Sequence, residues 1–91
     1  SIESIVNWFI ETWDISSTLE DLGNTATPED LIDDIFNNPD CWYDGFVRDM
    51  DLEQDIIDNM TSNDLCQQIK EVVEDKLLDY YTKHLEELKE K

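Results

Sequence analysis

Apolar positions recur at steps of three and four through most of the chain, and no alternation of period two persists, which predicts a mostly α protein. Ile2, Ile5, Val6, Phe9, Ile10 and Trp13 form one stripe of a helix from about residue 2 to 13, with Glu3, Asn7, Glu11 and Asp14 facing out. Leu19 and Leu22 belong to a short turn that Gly23-Asn24 ends. Thr27-Pro28-Glu29-Asp30 then predicts a helix start: Thr27 can cap, Pro28 suits the first helical position, and two carboxylates meet the positive end of the dipole. Leu31, Ile32, Ile35 and Phe36 give that helix its apolar face, and Asn37, Asn38 and Pro39 close it. Residues 40–47 read as helical, although Gly45 weakens a helix and the aromatic residues there also suit a strand. Leu52, Ile56, Ile57 and Met60 mark a further short helix, and Thr61-Ser62-Asn63-Asp64 resembles a cap. Beyond it, Leu65, Ile69, Val72, Val73, Leu77, Tyr80, Tyr81, His84 and Leu88 sustain one stripe to the C-terminus. This last helix, of about 27 residues, is roughly 40 Å long.

Ninety-one residues make one domain. A sphere of that size has a radius of gyration of about 12 Å, too small to enclose such a helix. The expectation is therefore a small elongated single-domain helical fold, or a long helix partly packed on another subunit. Trp8, Trp13, Trp42 and Tyr43 are much aromatic area for so small a core. Core packing is the first reading of each, and a homodimer interface is the second.

Charge changes the picture most. Six Lys and Arg stand against 24 Asp and Glu, for a net of −18. Residues 1–69 hold 17 acids and the single cation Arg48, a net of −16, whereas 70–91 hold 7 acids and 5 lysines, a net of −2. Ordinary surfaces intersperse the two signs, because self-repulsion destabilises a compact state. Direct nucleic-acid binding is excluded, since phosphates repel this surface. Yet 40% of the residues are hydrophobic, more than a disordered acidic tail carries, so the chain should fold. No run reaches the roughly 18 apolar residues of a membrane helix, and the start lacks the basic residues of a signal peptide, so a soluble, unexported protein is expected.

Familiar chemistry finds little support. Cys41 and Cys66 lie outside any CxxC and His84 is the sole histidine, which excludes a structural zinc site. Both cysteines are expected in the core, unbridged. Asp49, Asp51, Glu53 and Asp55 have the spacing of a calcium loop, but Gln54 replaces its glycine and Met60 its final glutamate. GxSxG, P-loop, HExxH and GxGxxG signatures are absent, and His84 on an apolar stripe reads as a packed side chain. Ser62-Asn63-Asp64-Leu65 has the wrong order for the Asp-Ser-Leu of an acyl carrier. These readings predict no enzyme, no cofactor and no metal.

What remains is the carboxylates themselves. Helical residues three or four apart share a face at a rise of about 4.5 to 6 Å, comparable to successive phosphates on one strand. Glu29, Asp30, Asp33 and Asp34 form such a row on one helix, Asp51, Asp55 and Asp58 on another, and Glu71, Glu74, Asp75 and Asp79 on a third. Glu20, Asp21, Asp40 and Asp44 are possible additions. Eighteen net charges correspond to about 30 Å of duplex at one per 1.7 Å, the right magnitude for a DNA mimic.

The opening Ser1-Ile2-Glu3-Ser4-Ile5-Val6-Asn7-Trp8-Phe9, the acidic centre, the Lys- and Glu-rich ending and the length together resemble the small Arn-type anti-restriction family of T4-type bacteriophages, over the whole chain. The general character is also similar to that of the overcome-classical-restriction protein of phage T7, without a shared motif. The resemblance implies a DNA mimic that blocks a host modification-dependent restriction enzyme of the McrBC type, in the cytoplasm of the infected bacterium. It also implies nucleoid-associated DNA-binding proteins as further partners, and no catalytic residue. The alternative from the residues is an acidic interaction module that regulates a host transcription or nucleoid protein, anchored by Trp42, Tyr43 and Phe46.

Overall fold

A computed structural model describes residues 1–90, the side chain of Ile57 apart, as six α-helices of which the last is much the longest. They are α1 (Ile2–Thr12), α2 (Ser16–Leu22), α3 (Pro28–Phe36), α4 (Tyr43–Met50), α5 (Gln54–Asn59) and α6 (Ser62–Lys89). Short 3-10 turns fill Gly23–Thr25 and Pro39–Cys41, and no strand occurs among the described residues.

Side-chain caps set several boundaries. The Ser1 hydroxyl accepts from the Ser4 amide at 3.3 Å at the start of α1. Before α3, Thr27 Oγ1 accepts from the Asp30 amide at 3.3 Å, and Asp30 Oδ2 accepts from the Thr27 amide at 2.8 Å. That reciprocal box, with Pro28 in the first turn, holds α3 at the predicted place. Thr61 Oγ1 accepts from the Asp64 amide at 3.1 Å and starts α6.

The region expected as a turn around Leu19 and Leu22 is instead the helix α2. Asp14 Oδ1 accepts from the Ser16 amide at 2.9 Å just ahead of it, and this bond holds the Asp14 carboxyl below the ordinary aspartate range. The stretch 40–47 is helical only in part: Trp42 separates the 3-10 turn from α4.

Buried residues of α6 are Leu65, Ile69, Val73, Leu77, Tyr81 and Leu85, one every four residues. Each such step turns the helix by about 400°, so the buried seam advances about 40° per step and winds around the axis. Helices α3 and α1 lie along it and cover it within the chain. This drift explains two departures from the expected stripe, since Leu85 is buried whereas Val72 is 44% exposed.

Across from α6, aromatic rings fill the space that α1, α3 and α4 enclose. Phe9 is fully buried, 4.9 Å edge-on from Trp42 and 5.8 Å from the stacked ring of Phe46, with Trp8 and Phe36 completing the cluster. Trp42 Nε1 donates to the Ile35 carbonyl at 2.7 Å, so the one polar atom of this buried ring is satisfied. Trp8, which the predicted α1 stripe leaves out, is buried, whereas Ile2 is 44% exposed. The molecule measures 43 × 23 × 19 Å with a radius of gyration of 13.7 Å, longer than a sphere of this mass.

Candidate functional site

None of the 24 carboxylate residues is buried, and only Asp30, Asp34 and Glu74 are even half-buried. Three ion pairs form among the described residues, Arg48 with Asp49, Lys83 with Asp79 and Lys89 with Glu86, and His84 Nδ1 lies 3.6 Å from Glu87 Oε2. Twenty carboxylates make neither kind of contact among the described residues. Burial of opposite charges does not explain this surface, and ordinary ion-pair lacing is absent from most of it.

On α6, Glu71, Asp75 and Asp79 each follow a buried residue by two positions, about 200° around the axis, and so lie opposite the core. Their rise of about 6 Å per step makes the expected row. Its last member is partly offset, because Lys83 Nζ lies 2.9 Å from Asp79 Oδ2. Glu74 is half-buried and sits to one side. Gln67 Nε2 donates weakly to Glu71 Oε1 at 3.4 Å.

The four acids of α3 divide by role. Glu29 and Asp33 are exposed, four residues apart. Asp30 is the helix cap already described, and Asp34 Oδ2 accepts from the buried Thr18 hydroxyl at 2.9 Å, joining α3 to α2. Asp34 Oδ1 also takes an Asn38 amide hydrogen at 3.2 Å. Asp21 of α2 meets Asp30, Asp33 and Asp34 across a shallow hollow floored by Thr18 and Leu22. Glu20 is separated from this group, lining a different groove with Leu88 and Lys89.

The row proposed for Asp51, Asp55 and Asp58 does not exist as one helix face. Asp51 follows α4 in the left-handed conformation, φ 50° and ψ 52°, and ends that helix. Asp55 and Asp58 belong to α5, where Asp58 Oδ1 accepts from Gln54 Nε2 at 2.8 Å. Asp40 lies in the second 3-10 turn and Asp44 in the first turn of α4. Both line a cleft of about 400 Å³ with Pro39, Tyr43, Ser62, Asn63 and Cys66.

Glu3, Glu11, Glu53 and Asp64 lie outside the expected rows and are also exposed, Glu3 and Glu11 at the outward positions of α1, Glu53 just ahead of α5 and Asp64 in the first turn of α6. Cys41 is exposed rather than in the core, because the adjacent Trp42 takes the inward position. Cys66 is half-buried; burial, with the nearby Asp40 charge, pushes its thiol up from the ordinary value. No group of three or more His, Cys, Asp or Glu among the described residues is arranged to hold a metal ion. No described helix is long and apolar enough to cross a membrane. Two of the three aromatic anchors of the alternative reading are inside the core, Trp42 at 3% and Phe46 at 2% exposure, and only Tyr43 reaches the surface.

No family model, curated protein or solved structure matches this chain.

Proposed function

We propose that this chain is a non-enzymatic DNA mimic that occupies the cationic DNA-binding cleft of another protein. The observation that carries the reading is a largely helical exterior with twenty carboxylates free of ion pairs among the described residues, over a body 43 Å long. Duplex of that length carries about 25 phosphate charges at one per 1.7 Å. The net of −18 is about seven tenths of that density. A partner's lysines and arginines, which ordinarily hold phosphates, would meet a comparable field here.

The resemblance to the anti-restriction family of T4-type phages names the first target to test, a host modification-dependent restriction enzyme of the McrBC type. Nucleoid-associated DNA-binding proteins are the next, and the setting would be the cytoplasm of an infected bacterium. A homodimer would present about twice the charged length. Burial of Trp42 and Phe46 speaks against an interaction module anchored on an aromatic patch.

The experiment is inhibition of DNA cleavage by such an enzyme. Inhibition should be relieved by excess duplex and should weaken steeply between about 50 and 300 mM salt. Inhibition that persists against excess duplex and high salt would place the contact outside the DNA cleft.

A further inference from the structure

Helix α2 is undercut on both sides. A hollow of about 270 Å³, lined by Thr18, Asp21, Leu22, Asp30, Asp33 and Asp34, lies between it and α3. A groove of about 420 Å³, with Ile15, Leu19 and Leu88 along it, lies between it and the end of α6. We propose that α2 is a hinged flap that opens while the rest of the chain stays folded, and that ionic strength sets how often it does so.

Two polar ties hold the flap. Thr18, the one buried residue of α2, donates its hydroxyl to Asp34 Oδ2 at 2.9 Å. Lys89 Nζ donates to the carbonyl of Asn24, just past α2, at 3.1 Å and across 65 positions of sequence. Leu19 packs half-buried against the core, whereas Leu22 is 39% exposed. A segment that buries so little apolar surface opens at far lower cost than α6, which buries six side chains. Both ends of α2 suit a hinge. Trp13 leaves α1 in an extended conformation, and Gly23 closes α2 at φ 56° and ψ −135°, where a side chain would be strained and a glycine is not. Ala26, 3% exposed, anchors the chain just beyond.

Charge works against closure. Asp21 meets Asp30, Asp33 and Asp34 over the hollow, and no cation lines it. Glu20 and Lys89 line the groove on the other side, one attractive pair against three repulsive ones. At low salt the repulsion reaches across the hollow, and at 500 mM, where the screening length is about 4 Å, most of it is gone. Glu20 and Asp21 travel with the flap, so their spacing from the α3 carboxylates varies with ionic strength.

The test is native-state hydrogen exchange, followed by NMR on the whole chain at about 20 and 500 mM NaCl, with the amides of Val73, Leu77 and Tyr81 as the internal reference. Relative to intrinsic rates, the amides of 19–23 should exchange about a hundredfold faster than the reference. Dilute urea should speed the reference steeply and leave 19–23 nearly unchanged, since a local opening exposes little surface. The higher salt should slow 19–23 about two- to fivefold. Asp21→Asn should slow them at low salt and flatten that response, whereas Glu71→Gln, on the outer face of α6, should leave it intact. Lys89→Met and, separately, Thr18→Val should speed them about fivefold. Amides of 19–23 that follow the reference in urea, an Asp21→Asn chain with the parent's salt response, or tie variants that exchange like the parent would overturn the proposal.

Discussion

Trp8 Nε1 donates to Asp49 Oδ2 at 2.8 Å, tying α1 to the far end of α4 across 41 positions of sequence. The bond, seconded by Arg48 Nε at 3.1 Å, holds the Asp49 carboxyl below the ordinary aspartate range. A lowered folded value means that the ionised form is the bonded one. Its contribution should be full above about pH 5 and vanish as pH falls through the folded value, below about 4. Urea midpoints followed down the acid limb should therefore drop less for Asp49→Asn than for the parent. Parallel acid limbs would show that the bond is not made in solution.

Tyr81 supplies the opposite limb. It is buried against the core, and burial, with Tyr80 beside it, pushes its hydroxyl up to about 12. The neutral form is favoured in the folded state, so stability should hold up to about pH 10 and fall as pH rises toward 12. Tyr81→Phe should flatten that loss in alkaline thermal melts. Equal losses in both chains would mean that the ring is ionised from an open surface.

Two neighbouring acids of α3 should part company. Thr27→Ala removes the hydroxyl half of the capping box and should cost about 1 kcal/mol, or roughly 4 to 8 °C in Tm for a domain of this size. Asp30→Asn should also lower Tm, because its carboxylate closes the box. Asp33→Asn, on an exposed carboxylate with no ion pair among the described residues, should leave Tm unchanged or raise it. Calorimetry on the three variants decides, and equal losses for Asp30 and Asp33 would refute the division of roles.

Self-repulsion should be visible directly. Raising NaCl from about 20 to 500 mM shortens the screening length several-fold and should raise Tm, since most of the carboxylates lack an opposing charge. In inhibition assays, each single neutralisation among Glu29, Asp33, Glu71 and Asp75 should cost about two- to fivefold, and the quadruple change far more. One substitution that abolishes inhibition while the fold survives would be incompatible with distributed recognition.

Much of this fold could be read from local chemistry, and the exceptions share a cause. Thr27-Pro28 and Thr61-Asp64 are caps whose bonds close within three residues, so they were legible. Ile2, Val72 and Leu85 depart from the expected stripes because burial depends on which helix crosses above each turn, a long-range fact, whereas Trp8 is in the core as first read. The helix α2 was hidden because Leu19 and Leu22 are its only apolar residues, too few to show a period, while the hold on Thr18 comes from Asp34. At the site, an acid's exposure followed from its place on a helix, but its employment did not. Asp30 and Asp34 look like any other acids until their hydrogen-bond partners are placed. Asp51 was assigned to a continuous helix face, which its left-handed backbone breaks.

On the DNA-mimic reading, the unbroken helix α6 would also bear on which proteins could use the surface it carries. Helix pitch sets the intervals between its carboxylates, and those intervals cannot stretch to follow a curved track. If the DNA-mimic proposal holds, an enzyme that wraps or kinks its duplex would meet the Glu71–Asp79 row, about 12 Å long, at fewer points than one that grips unbent duplex, so stiffness would sort targets as well as charge.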